Sequence, residues 1–203
     1  GISKMTLMSQ RLKFNMESIG STIEKFSTIE GAIETSANVQ VLGGAYAAQF
    51  ANPLQAMGEA LLDAEGFTQR IVDTVASQAS FNRQTGQVEM AAFEKARLRE
   101  FAKQMGMDYS DVWNMATQQA KIHSIGNEMN HLTEEDKALV ANKAQFNTEK
   151  NQWQVVLADG TERAVKELQG SDLQQLRDIQ VPQEAIRKDV HEIRGILREY
   201  VGF

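Results

Sequence analysis

His123, His131 and His191 are the whole histidine complement of this 203-residue sequence, and cysteine is absent. Two imidazoles one helical turn apart can share a metal ion, but none of the three has another at i+4. Without cysteine there is no thiolate ligand, no cysteine nucleophile and no disulfide. The residues therefore predict no metal and no cofactor. Carboxylates gather at Asp63 and Glu65 and again at Glu134, Glu135 and Asp136. Acid–base catalysis would need two of them held across a cleft with one pKa raised by burial. The expected places are instead a helix C-terminus and a helix N-terminus, where carboxylates are ordinarily solvated. Asp159-Gly160-Thr161-Glu162 lacks the oxygen spacing of a calcium loop, and no G-x-G-x-x-G, Walker A or G-x-S-x-G run occurs. The net charge of -6 lends nothing to binding a phosphate backbone, so specific nucleic-acid binding is not expected. The chain reads as non-enzymatic.

The elements say more than the ionisable groups. Met5, Leu12, Ile19, Phe26 and Ile33 recur every seven positions, and Ile2, Met16 and Ile23 fall three before that register. This spacing predicts a coiled-coil-like helix over residues 1–36, about 50 Å long at roughly 1.5 Å per residue. One apolar stripe with no core of its own needs a cover: another part of the chain, a second copy, or the rest of a longer polypeptide. Ile186, Val190, Ile193 and Leu197 form a second such seam behind Pro182. The opening on Gly1 with the heptad already under way, and the stop just past the second seam, lead to the expectation of a fragment of a longer protein, the alternative being that Gly1 is a cloning remnant.

Residues 37–150 are expected to be a helical module. From Thr35 to Gly58 no side chain is charged. Gly43-Gly44 predicts a bend, after which Gly44, Ala48 and Ala51 put small side chains on one face. That face serves close helix packing or, in the sharper reading, entry into a membrane; Gln40, Gln49, Asn52, Pro53 and Gln55 count against a span. Asn52-Pro53 starts a helix to about Ala64 that stops at Gly66, and Phe67 to Ala79 follows. Ser80 to Gln87 reads as an exposed loop or short hairpin around Gly86. Met90 to Met105 is a helix with Phe93, Phe101 and Met105 inward and Gly106 as its cap. On it Lys95, Arg97, Arg99 and Lys103 interleave with Glu94 and Glu100, as on a salt-bridged surface. Ser110 caps a helix reaching about Asn130, and Thr133 caps another reaching about Phe146. The methionines, among them Met57, Met105, Met107, Met115 and Met129, fit adaptable core packing or a helix-binding groove.

Residues 151–170 hold the β signal. Trp153, Val155 and Leu157 alternate with polar or opposite-face residues, and Asp159-Gly160 predicts a type I′ turn before Thr161 to Val165 returns. Residues 171–203 are read as C-terminal helices. The fold class expected is all-α, with long coiled-coil-like terminal helices flanking an array of short helices and one β-hairpin near residues 151–166.

Several segments carry a resemblance: Leu42-Gly43-Gly44-Ala45-Tyr46 through Asn52-Pro53-Leu54, Ala60 to Phe67, Gly106-Met107-Asp108-Tyr109-Ser110, Leu132-Thr133-Glu134-Glu135, and Asn142-Lys143-Ala144-Gln145-Phe146. Over roughly Val39 to Ile179 the chain resembles the large internal virion proteins of tailed bacteriophages of gut Bacteroides-type bacteria, which are similar in role to tail tape-measure and ejected cargo proteins. The resemblance implies a structural or assembly role inside the virion, with other copies, the parent chain, other virion proteins and a membrane as partners. The chain departs from a tape-measure rod in its many caps and turns, as a globular module of such a protein would. The alternatives are a cytoplasmic bacterial adaptor that binds a partner helix in a Met-rich groove, and a membrane-active delivery segment.

Overall fold

The computed structural model describes residues 4–179, which are mostly helical with two small sheets; the seam at Ile186, Val190, Ile193 and Leu197 lies outside them. Two compact units divide at Asn130 and His131.

The N-terminal heptad does not form one rod. It is cut into α1 (Lys4–Leu12), α2 (Met16–Lys25) and α3 (Ile29–Gln40). At the first cut Lys13 takes a left-handed φ of 56°, Asn15 accepts from the Glu17 amide at 3.0 Å, and its own amide donates to Asp111 at 3.1 Å. The Asn114 amide donates to the Lys13 carbonyl at 2.9 Å. At the second cut Thr28 caps α3 by accepting from Gly31 at 3.1 Å. Side chains almost a hundred residues away thus satisfy the backbone groups that a break exposes. The apolar period survives, but it serves the chain's own core: Leu12, Ile19 and Phe26 are buried and Met5 packs against them, whereas Ile33 is exposed.

The rest of the first unit is α4 (Gly44–Gln49), α5 (Pro53–Leu62), α6 (Ala64–Ala76), a hairpin of β1 (Ser80–Asn82) and β2 (Gln87–Glu89), α7 (Ala92–Met105) and α8 (Tyr109–Ile125), followed by a 3-10 turn at Gly126–Met129. The bend at Gly43 and Gly44 is real, with φ of 70° and 56°. Asn52 caps α5 with Pro53 in its first turn, but α5 ends at Asp63 because that carboxylate accepts from the Gly66 amide at 2.9 Å and opens α6. Gly66 therefore lies inside a helix, and Asp63 and Glu65 occupy a helix N-terminus rather than the expected C-terminus. Gly106, at φ 71°, closes α7 as expected. Asp108, not Ser110, precedes the first residue of α8. The core joins Phe26 to Phe67 and Phe50 at centroid distances of 5.1 and 5.9 Å, and Phe101 to Tyr46 and Phe50 at 5.1 and 6.0 Å.

The second unit has α9 (Glu134–Lys143), then β3 (Gln145–Asn147), β4 (Gln152–Val156) and β5 (Glu162–Ala164) in a three-stranded antiparallel sheet, with helix again over residues 170–179. Thr133 caps α9 as expected. The hairpin near 151–166 is therefore part of a larger sheet, since α9 stops at Lys143 and frees β3. Its turn is not type I′, because Asp159 is not at positive φ. Gly160 alone is, at 81°, with its amide on the Leu157 carbonyl at 3.0 Å and the Leu157 amide on the Thr161 carbonyl at 2.9 Å. This is the three-residue loop with a left-handed glycine.

The β1–β2 and β3–β4 hairpins are built alike. Asn82 faces Gln87 and Asn147 faces Gln152, and Phe81 and Phe146 stand in the same register one pair back. In each, the asparagine side chain accepts from loop amides, Gln84 at 2.8 Å in one and Lys150 at 2.9 Å in the other. The last loop residue is left-handed in both, Gly86 at 69° and Asn151 at 49°, a conformation that glycine and asparagine tolerate best.

Candidate interaction surface

Among the described residues, the ionisable groups singled out by the sequence lie in separate places. A cavity of about 500 Å³ between α6, α8 and β1 is lined by Asp73, Ser77, Phe81 and His123 among others. The Asp73 carboxylate takes the Gln69 amide at 2.8 Å, and the Ser77 hydroxyl donates to the Thr74 carbonyl at 2.9 Å. Among the described residues no hydrogen bond joins His123 to either. His131 is exposed, and His191 lies outside the described residues. Asp136 is buried and accepts from Arg177 at 2.5 Å and from Thr133 at 2.8 Å, so it clamps α9 to the helix at 170–179. Among the described residues no group of three potential ligands could hold a metal ion.

What the first unit does present is an apolar face. Of the nine large hydrophobic side chains exposed among the described residues, six fall between Ile29 and Leu62, so exposure is concentrated rather than scattered. On α3, Ile29 and Ile33 point outward one turn apart, and Ala37 and Val41 continue the line at the same spacing. On α5, which packs against α3, Leu54 and Leu61 point outward, with Leu62 beside them at 90% exposure. Most of the buried residues of the two helices are small, Ala32, Thr35 and Ser36 beside Val39 on α3 and Ala56 and Ala60 on α5. Small residues let the two axes come close and leave the larger aliphatics on the outside.

The neighbouring polar contacts hold this face in place. Gln40 donates to the Phe50 carbonyl at 2.8 Å and fixes the end of α3 to the end of α4. Arg70 on α6 donates to both Glu59 oxygens, at 2.7 and 2.5 Å, and to the Gln49 carbonyl at 2.5 Å. This hydrogen bonding holds the Glu59 carboxyl below its ordinary pKa and ties α5 to α6.

The small residues expected to bring a second helix close do something else. Gly44, Ala48 and Ala51 are exposed, and Ala51 lies beyond the end of α4, so the three do not share a helix face. Gly44 meets the guanidinium of Arg97, 3.0 Å from where a Cβ would stand. No described helix is long and apolar enough to cross a membrane. Met105, Met107, Met115 and Met129 are buried, and Met57 is partly buried against the core. Phe93, expected inward, is 71% exposed, with the Arg97 guanidinium 5.6 Å from its ring centroid. Sequence reasoning missed α3 and α5 as a surface because it placed Ile33 in a rod. The available signal was the line Ile29, Ile33, Ala37, Val41, at a spacing of four rather than seven.

The described residues form a mostly helical protein whose exposed large aliphatics are concentrated on α3 and α5. Compared with protein-family models, with curated proteins and with solved structures, the chain matches none.

Proposed function

We propose that the chain is a non-enzymatic structural and assembly module, part of a large tape-measure-like or cargo protein inside a phage particle, that packs against other helices through the face of α3 and α5. The observation that carries the assembly role is the concentration of exposed Ile29, Ile33, Leu54, Leu61 and Leu62 on two adjacent helices. Large contiguous apolar patches on a protein surface mark contacts with other proteins. The virion setting is supported by the sequence resemblance over roughly Val39 to Ile179. The same face also favours a cytoplasmic adaptor that docks a partner helix. An antibody to the exposed loop at residues 82–87 separates the two settings. A band much larger than this chain, sedimenting with purified particles, is the outcome expected; a particle-free cytosolic band would move the module out of the virion.

A further inference from the structure

We infer that the face of α3 and α5 takes a basic amphipathic helix from a partner protein, its apolar stripe over Ile33 and Leu61 and its lysines or arginines beside Glu30 and Glu34. The inference rests on the docking role proposed for that face, and names the chemistry of what docks.

Charge carries the argument. Between Lys25 and Arg70 the sequence has no basic residue, while Glu30, Glu34, Glu59, Asp63 and Glu65 are acidic. Three of the five are committed within the chain. Glu59 is held by Arg70, Glu65 lies 3.5 Å from Lys4, and Asp63 caps α6. Glu30 and Glu34 are exposed on α3, each next in sequence to an outward isoleucine and one turn apart, and among the described residues neither forms an ion pair. An apolar stripe whose own two helices carry carboxylates and no basic side chain is complementary to a helix whose apolar anchors, spaced at i, i+3, i+4 and i+7, are flanked by cations. It disfavours a second copy of itself, since Glu30 and Glu34 would meet like charge. It equally disfavours an anionic membrane surface, which attracts basic rather than acidic segments.

The test uses the full chain and two synthetic helices of about twenty residues, one with leucine and lysine in an amphipathic pattern and one with glutamate in place of lysine, titrated by fluorescence anisotropy. The lysine helix is expected to bind saturably and about tenfold or more tighter than the glutamate helix. The double variant Glu30→Lys/Glu34→Lys should reverse that order, and Ile33→Ser/Leu61→Ser should abolish binding of both with the circular dichroism spectrum unchanged. If the serine variant abolishes binding but charge reversal leaves the preference intact, the basic partner is wrong and the docking face stands. If binding of the lysine helix survives Ile33→Ser/Leu61→Ser, or neither helix binds, the docking face fails as well.

Discussion

The guanidinium of Arg97 donates to the carbonyl of Gly43 at 2.6 Å, across 54 residues of sequence. The same group donates to the Glu94 carboxylate at 2.9 Å and lies 5.0 Å from the centroid of the Tyr46 ring. One planar cation thus holds the bend between α3 and α4 against α7. Arg97→Met should lower stability by about 2 to 3 kcal/mol, because it strands the Gly43 carbonyl and the Glu94 carboxylate together. Arg97→Lys should recover little, since an ammonium has neither the fork nor the flat stacking surface. Urea unfolding midpoints measure both; a loss under about 0.5 kcal/mol in Arg97→Met would show the contact to be incidental.

Asp111 is buried on α8 and accepts from the Asn15 amide at 3.1 Å and from the Ser18 hydroxyl. Asp111→Ala leaves two donors near the start of α2 without their acceptor, at a cost of about 2 kcal/mol. Hydrogen exchange locates the effect: the amides of α2 should lose protection well ahead of those of α9.

The hydroxyl of Tyr46 is buried and finds no hydrogen-bond partner among the described residues. Burial first, and then the charge of Glu94, push its pKa upward. Tyr46→Phe removes an unsatisfied group and keeps the ring against Phe101, so it should be neutral or stabilising by up to about 1 kcal/mol. A thermal midpoint below that of the parent chain would mean that the hydroxyl has a partner after all.

Lys121 has its pKa lowered to about 8, mainly by burial and secondly by the charge of Lys13. In the unfolded chain a lysine titrates near ~10.4. Below about pH 8 the group is charged in both states and its cost to folding is fully present. As pH rises through that value the folded chain releases the proton first, so stability from this group increases up to about pH 10.4. Lys121→Met should therefore flatten the rise in unfolding free energy across this window relative to the parent. Parallel pH profiles of the two chains would refute the shift.

Local chemistry made part of the fold legible. Asn52-Pro53, Thr133 and Gly106 act at helix ends as their types demand, and a strand does run through Trp153 and Val155, though Gln154 between them is buried as well and Leu157 lies beyond the strand. What could not be read was supplied from far along the chain. The heptad through Leu12, Ile19 and Phe26 is a true apolar period, but Asp111 and Asn114 receive the backbone between α1 and α2, and that support is invisible in a window of thirty residues. Phe93 shows the reverse failure, since helical spacing put it inside while the ring lies at the surface beside Arg97. On the candidate surface, Ile33 was singled out as a contact residue for the wrong element, and Leu54 and Leu61 were not singled out at all, because their role depends on α5 lying beside α3.

The breaks at Lys13 and Ser27 also decide how the first forty residues answer to tension. A continuous helix pulled along its axis shares the load over its length and yields as one piece. Here α1, α2 and α3 are anchored separately, α1 by Leu12, α2 by Ile19, Asp111 and the hydrogen bond from Thr22 to the Met105 carbonyl at 3.0 Å, and α3 by Ala32 and Val39. A chain drawn out from its N-terminal side lengthens in discrete steps. The nine residues of α1 lengthen by about 17 Å when drawn from helix to extended chain, while the core around Phe26 still bears the load.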